Sequence, residues 1–342
     1  MKKHLSRLLA LLLIAALAIS LVACKSNDTP TEPTEPADDA TDPVVPEDST
    51  LFMATGGTSG TYYAYGGAVA AVLQDKVADF KLTINVESTG ASLNNINLVN
   101  DGENQIAIVQ NDVMDYAYAG SELFSEVTDG FYAMAAAYAE VCQIVANPSA
   151  GINSVEDLRG KRVSVGDVGS GVEFNAVQIL AAHGISFDDI DKQNLSFADS
   201  AASLKDNKID AFFCTAGAPT TAITELTTTN DVIVLNVVGD AAATLVENHP
   251  FYTSYVIPGG TYKGVTDDVT TVAVKATFIV SKDLSDELVY SMTKALFENK
   301  GEVGHDKIKE LDLTYAVEGI SVPFHPGAAK YFSEQGITVN AE

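Results

Sequence analysis

Tryptophan is absent from the 342 residues, and arginine occurs only as Arg7, Arg159 and Arg162. With 20 Lys+Arg against 46 Asp+Glu and a formal charge of −26, the chain lacks the basic surface that a phosphate backbone requires. Nucleic acid is thereby excluded as a partner. Any anion must be held by backbone amides and hydroxyls rather than by a guanidinium fork. Cysteine is equally scarce, with Cys24, Cys142 and Cys214 alone. The last two sit in apolar runs, VCQIVA and AFFCTA, that look like strands, so two buried thiols are expected rather than a disulfide framework. Only 19% of residues are charged and 46% are hydrophobic, which rules out wholesale disorder. The length suits two domains, each with a core of its own.

Catalytic signatures are also missing. No G-x-S-x-G elbow exists, because Ser59 is followed two places on by Thr61 and Ser170 is preceded two places back by Val168. There is no G-x-x-x-x-G-K-[ST] and no full G-x-G-x-x-G. His183, His249, His305 and His325 make no ligand pair, so neither a metal nor a cofactor is expected. His183 reads as a helix C-cap. His325, between Pro323 and Pro326, is the histidine to consider near a site, with a structural role favoured.

What is present begins with an address. Lys2, Lys3 and Arg7 precede an apolar run from Leu8 to Ala23, broken only by Ser20. This is the pattern of a secretory signal, and the run falls short of the roughly 20 residues a spanning helix needs. It closes on Leu21-Val22-Ala23-Cys24, which resembles the bacterial lipobox, so residues 1–23 are expected to be removed and Cys24 lipidated. Residues 24–50 carry five prolines, five threonines and eight acids against one lysine. Such a stretch repels itself, stays extended and acts as a spacer. The body is placed outside the cytoplasm, anchored to the membrane by lipid.

From Leu51 onward, strands alternate with helices. Strands are expected at Leu51–Thr55, Leu82–Glu87, Ile106–Val109 and Met134–Ala139, with helices from Tyr63 to about Lys76 and from Ser92 to Val99. The pattern restarts with strands at Val141–Ala146, Arg162–Gly166, Leu195–Phe197, Ala211–Cys214 and Val232–Val237, and helices from Val172 to His183 and up to Asn207. A long strand, Thr271–Val280, precedes helices around Asp286–Asn299 and His325–Gly336. Alternation of this kind implies parallel strands and right-handed crossovers. The fold class is α/β, in two lobes: residues 51–140 with 263–342, and residues 141–262. Three strand-to-helix turns share one grammar: Gly56-Gly57-Thr58-Ser59-Gly60-Thr61-Tyr62, Thr89-Gly90-Ala91-Ser92 and Gly169-Ser170-Gly171-Val172-Glu173. Glycine admits close approach of a ligand, hydroxyls cap the helix, and the exposed N–H groups favour an anion. In open α/β sheets the ligand lies outside the carboxyl ends of the strands, so the three turns are expected to converge on a cleft.

Four blocks, TGGTSGTYYAYGG (55–67), ESTGASLNNINLVNDGENQIAIVQND (87–112), SVEDLRGKRVSVGDVGSGVEFNA (154–176) and VPFHPGAAKYFSEQG (322–336), resemble the TAXI family of extracytoplasmic receptors for TRAP transporters. The resemblance runs from about Leu51 to the C-terminus. It implies a two-lobed type II periplasmic-binding-protein fold with a ligand cleft between the lobes. It also implies delivery of a small carboxylate or amino acid, such as glutamate, to a TRAP permease driven by an ion gradient. The matching ligand positions are Gly57, Thr58, Ser59, Gly60, Thr61 and Tyr62 in the first loop, Thr89, Gly90 and Ser92 in the second, and Gln110 and Asp112 after the third strand. In the second lobe they are Ser170, Gly171, Glu173, Gly217 and Pro219. Glu173 has two readings, a partner for a ligand ammonium or a first-turn carboxylate of its helix. Family members often carry glycine at position 59, serine at 111 and threonine at 172, where this chain has Ser59, Asn111 and Val172. The alternatives are a lipid-anchored sensor domain for the same solute and an enzyme on the same fold. The latter needs a convergent base or nucleophile that the sequence does not offer.

Overall fold

The computed structural model describes residues 47–77, 79–122 and 124–341. The signal sequence, Cys24 and most of the spacer lie outside the described residues. The spacer ends sooner than its composition suggests. β1 (Glu47–Ala54) pairs in parallel with β2 (Phe80–Glu87) from its first residue, because main-chain hydrogen bonds extend a strand beyond its apolar run. Leu51 and Met53 alternate inward behind it.

The first half continues through α1 (Thr61–Lys76), α2 (Ser92–Asn100), β3 (Ile106–Gln110), α3 (Asn111–Ala119) and β4 (Phe131–Ala146). The second half runs β5 (Arg162–Ser164), α4 (Gly171–Ala182), β6 (Asp191–Gln193), α5 (Phe197–Lys205), β7 (Ala211–Ala216), α6 (Thr221–Thr229), β8 (Ile233–Val234), α7 (Gly239–Asn248) and β9 (Thr253–Ile257). β10 (Val269–Ser281), α8 (Asp286–Glu298) and α9 (Pro326–Glu334) complete it. One continuous sheet has the order β2-β1-β3-β10-β4-β7-β5-β6, with β8 on β4 and β9 on β10.

Several expectations are corrected here. Met134–Ala139 and Val141–Ala146 form the single strand β4, since Glu140 between them keeps its place in the ladder opposite Val274. Strands are parallel within each half, but β10 runs antiparallel to β3 and β4, and β4 to β7. β4 leaves the first half and β10 returns to it, so their directions are opposed. The strand expected at Leu195–Phe197 lies instead at β6, because Ser196 caps α5 and Phe197 opens it. Val232–Val237 shrinks to two paired residues, Ile233 and Val234.

The core is built in clusters that define two lobes. One cluster joins buried residues from Leu51 to Tyr138 with Ala276–Phe332, including Tyr65, Phe131, Phe278 and Met292. Two others gather residues from Val141 to Val274 on either face of the second half, including Ile144, Leu180, Phe213, Phe212 and Tyr262. β4 and β10 pass side by side through both lobes. Cys142 and Cys214 are buried free thiols, as expected. Among the described residues no helix is long and apolar enough to cross a membrane.

Candidate functional site

A cleft of about 530 Å³, counting the open space at its mouth, lies between the lobes. Its first-lobe wall is the loop after β1 (Gly56, Gly57 and Gly60), the opening turn of α1 (Thr61 and Tyr62), Ala91 and Ser92 at the start of α2, Gln110, and Glu140 of β4. The second-lobe wall is Asp167, Ser170, Gly171 and Val172 before and in α4, Ser196 and Phe197 at the start of α5, and Thr215 and Ala216 of β7. Four helices therefore begin at the cleft. Gly60 and Ala91, the residues preceding α1 and α2, make no side-chain cap, which leaves first-turn N–H groups available to an acceptor, Leu93 N–H excepted because it donates to Gly169 O. Ser170 and Ser196 cap α4 and α5 through Glu173 N–H (3.3 Å) and Asp199 N–H (3.2 Å). Converging N-termini favour negative charge without any cationic side chain.

Ala91 holds this geometry under strain. Its φ of 66° and ψ of −148° fall in a region that is essentially glycine's alone. Thr89 Oγ1 accepts the Ala91 N–H (3.2 Å) and donates to Thr55 O (3.0 Å), which fixes the turn. Ala91→Gly should therefore stabilise the fold by about 1 kcal/mol, a rise of roughly 2 °C in melting temperature, measured by calorimetry.

Of the sequence-derived ligand positions, Gly57, Gly60, Thr61, Tyr62, Ser92, Gln110, Ser170 and Gly171 come together on the cleft wall. The others stand apart from it. Thr58 is exposed on the outer side of its loop. Ser59 O takes the N–H of Ala222, a contact between lobes (3.2 Å). Thr89 and Gly90 serve the turn itself, Gly90 N–H donating to Asn94 Oδ1 (3.1 Å). Glu173 is the first-turn carboxylate of the two readings. Its oxygens accept from Gly169 N–H (2.8 Å), Lys192 Nζ (3.0 Å) and Asn194 Nδ2 (3.1 Å). Burial opposes its charge, but these donors prevail and lower its pKa. Gly217 O accepts from Thr61 Oγ1 (3.2 Å), and Pro219 follows in a cis peptide behind the wall. Asp112 lies one layer beneath, fully buried and bound by Asn175 Nδ2 of the opposite lobe (3.2 Å). Burial raises its carboxyl to about 7.

Neither Arg159 nor Arg162 lines the cleft. Arg159 pairs with Asp189 (2.9 Å) and Arg162 with Asp210 (2.7 Å), both away from the cleft. His183 ends α4, its Nδ1 on Ile179 O (2.8 Å). His325 is structural: its buried ring accepts Gly327 N–H (3.1 Å) and meets Leu284 O (3.0 Å), capping α9.

Sequence reasoning missed Gly56, Ala91, Glu140, Asp167, Val172, Ser196, Phe197, Thr215 and Ala216 as wall residues. Gly56, Ala91 and Val172 belong to the three glycine turns, and Glu140 is visible as a single acid inside the apolar run FYAMAAAYAEVCQIVA. A buried carboxylate in such a run demands a partner. Asp167, Ser196, Phe197, Thr215 and Ala216 are brought to the cleft only by tertiary packing.

The lobes touch directly around this site. Leu93 N–H donates to Gly169 O (3.3 Å), and Gln178 Nε2 to Tyr116 OH (2.8 Å). With its amide nitrogen toward the acceptors, Gln110 donates to Gly171 O and Asp112 Oδ1 (3.2 Å each).

Among solved structures, a protein from Bordetella bronchiseptica RB50 is similar over 83% of this chain and 88% of its own, at 15% identity and a TM-score of 0.52. The alkanesulfonate-binding protein SsuA from Xanthomonas axonopodis pv. citri, bound to MOPS, matches over 85% and 92% at 13% identity and a TM-score of 0.47. A putative L-cystine ABC transporter from Listeria monocytogenes matches over 76% and 94% at 16% identity and a TM-score of 0.48. At 15% identity and a TM-score of 0.52, the Bordetella likeness speaks to the α/β fold alone. The model of the NMT1-like family matches residues 53–336, most of the described chain, and the protein belongs to that family.

Proposed function

We propose that this protein is an extracytoplasmic solute-binding protein that captures a small carboxylate or amino acid between its lobes for transport. The observation that carries this reading is the convergence of four helix N-termini, from both lobes, on a cleft whose described wall has no lysine, arginine or histidine. Loop amides and hydroxyls suffice for a carboxylate, because hydrogen bonds to a charged group contribute roughly 1.5–3 kcal/mol each. The wall residues Gly57, Gly60, Thr61, Tyr62, Ser92, Gln110, Ser170 and Gly171 are the proposed contacts. Lobe 1 comprises residues 51–140 with the C-terminal part, and lobe 2 comprises 141–262 together with the start of β10 rather than ending at 262, since Val269, Val272, Ala273 and Val274 pack into its core. The paired strands β4 and β10 serve as the hinge between them.

The finer reading is a TAXI-type receptor of a TRAP transporter, lipidated at Cys24, that delivers glutamate or a related solute to the permease. It rests on the four sequence blocks and on the lipobox-like Leu21–Cys24. A thermal-shift screen of the purified protein against amino acids, dicarboxylates and keto acids tests the function. The expected result is a saturable rise in melting temperature with one solute class, since a ligand at 100 times its Kd stabilises by about 2.7 kcal/mol. Consumption of the solute during incubation would mean an enzyme instead.

A further inference from the structure

Glu140 sits where β4 crosses from one lobe to the other, opposite Val274 of β10. It lines the cleft, yet it is only 2% exposed, and its Oε1 has no hydrogen-bond partner. The hydroxyls of Tyr62 and Tyr138 stand beside it, both buried and short of close hydrogen-bond contact, and as the nearest donors both favour its charged form. Lys307, the cation nearby, is engaged elsewhere, with Nζ 2.6 Å from Glu310 Oε1. Glu310 is itself fixed, taking the Ala139 N–H on its other oxygen (2.8 Å). Asp167 adds a second carboxylate to the wall, and no described wall residue offsets either acid. A buried carboxylate oxygen with no close donor is costly unless one arrives with the ligand. The helix starts already provide for a negative group, so the two acids are complementary to a positive one.

Resting on the solute-binding reading above, we propose that Glu140 receives the ammonium group of the solute. The cleft thereby selects zwitterionic amino acids over their deaminated counterparts. The carboxylate of such a solute lies at the helix starts, and its ammonium donates to Glu140 Oε1.

Proton linkage gives this role a signature that a structural one lacks. Burial lifts the Glu140 carboxyl to about 8, so an arriving ammonium ionises it and displaces a proton. Affinity for an amino acid therefore climbs as pH rises towards about 8, and affinity for a 2-oxo acid does not. The groups facing Glu140 are Tyr62 from α1, Tyr138 and Cys142 from its own strand, Cys214 from β7, and Lys307, Glu310 and Tyr315 from the segment before α9. Burial raises the tyrosines and both thiols further above neutrality, so they keep their protons over this range. Asp112 also titrates, near 7, and the variant below separates it from Glu140.

The test is isothermal calorimetry of the wild-type protein with matched pairs, namely glutamate and 2-oxoglutarate, alanine and pyruvate, and leucine and its 2-oxo acid, repeated from about pH 6 to 8.5. We expect one amino acid to bind at least about 30-fold tighter than its oxo partner, with affinity rising with pH. Glu140→Gln should abolish both the preference and the slope while oxo-acid affinity stays level or improves. Should that variant fail to fold, the wild-type preference and pH slope decide alone. An oxo acid that binds as well as its amino acid, or an unchanged preference in Glu140→Gln, overturns the assignment and leaves the receptor reading standing. Absence of binding across all pairs overturns both.

Discussion

Gly171→Val should weaken solute binding at least about 100-fold, roughly 2.7 kcal/mol, while the solute-free protein melts close to wild type. Gly171 begins α4 where the lobes approach most tightly. A Cβ there would fall inside the amide of Gln110, which belongs to the opposite lobe. Gln110 is itself buried, 2% exposed, and its open direction is the cleft. Either its amide swings into the solute's space or the lobes stay apart, and both outcomes cost affinity. The backbone of Gly171 is not in the left-handed region, so valine adds no local strain. Calorimetric titration checks the loss, and a thermal melt without solute checks that the fold survives.

Asp112→Asn should flatten the pH dependence of stability. The wild-type carboxyl stays protonated in the fold up to about 7, whereas the unfolded chain ionises near 3.8. Between these values the unfolded state binds fewer protons, so this group removes stability as pH rises, by about 1.4 kcal/mol per pH unit. Below the unfolded value the penalty is absent, and above about 7 it is complete. His249, His305 and His325 act oppositely, because burial lowers their pKa and favours the fold as pH increases. Comparing variant with wild type cancels the histidines. Asp112→Asn should gain on wild type by about 2 kcal/mol or more between pH 5 and 7, read from urea unfolding at each pH. A constant difference across that range would show that Asp112 is ionised in the fold.

Much of the fold was legible because its signals are local. LFMAT followed by GGTSGT reads as strand, turn and helix start from six or seven residues, and β1 and α1 lie there. What escaped depends on pairing. β4 looked like two strands because Glu140 interrupts an apolar run, yet the ladders to β10 and β7 hold it as one. α6 (TAITELTTT) escaped because β-branched threonines lower helix propensity, and tertiary packing of Ile223 and Leu226 overrides them. The glycine turns pointed to the right end of the sheet. They did not reveal which residue of each turn faces the cleft, as Thr89 bracing its own loop while Ser92 reaches the wall shows. Arg159 and Arg162 are committed to surface ion pairs.

Closure of the two lobes on a small solute is the step on which the proposed function rests. Small-angle X-ray scattering of the protein with and without the amino acid that binds best tests it most directly. Saturating solute should lower the radius of gyration of the wild type and leave that of Gly171→Val unchanged. A wild-type radius that stays constant while calorimetry shows the cleft filled would contradict it.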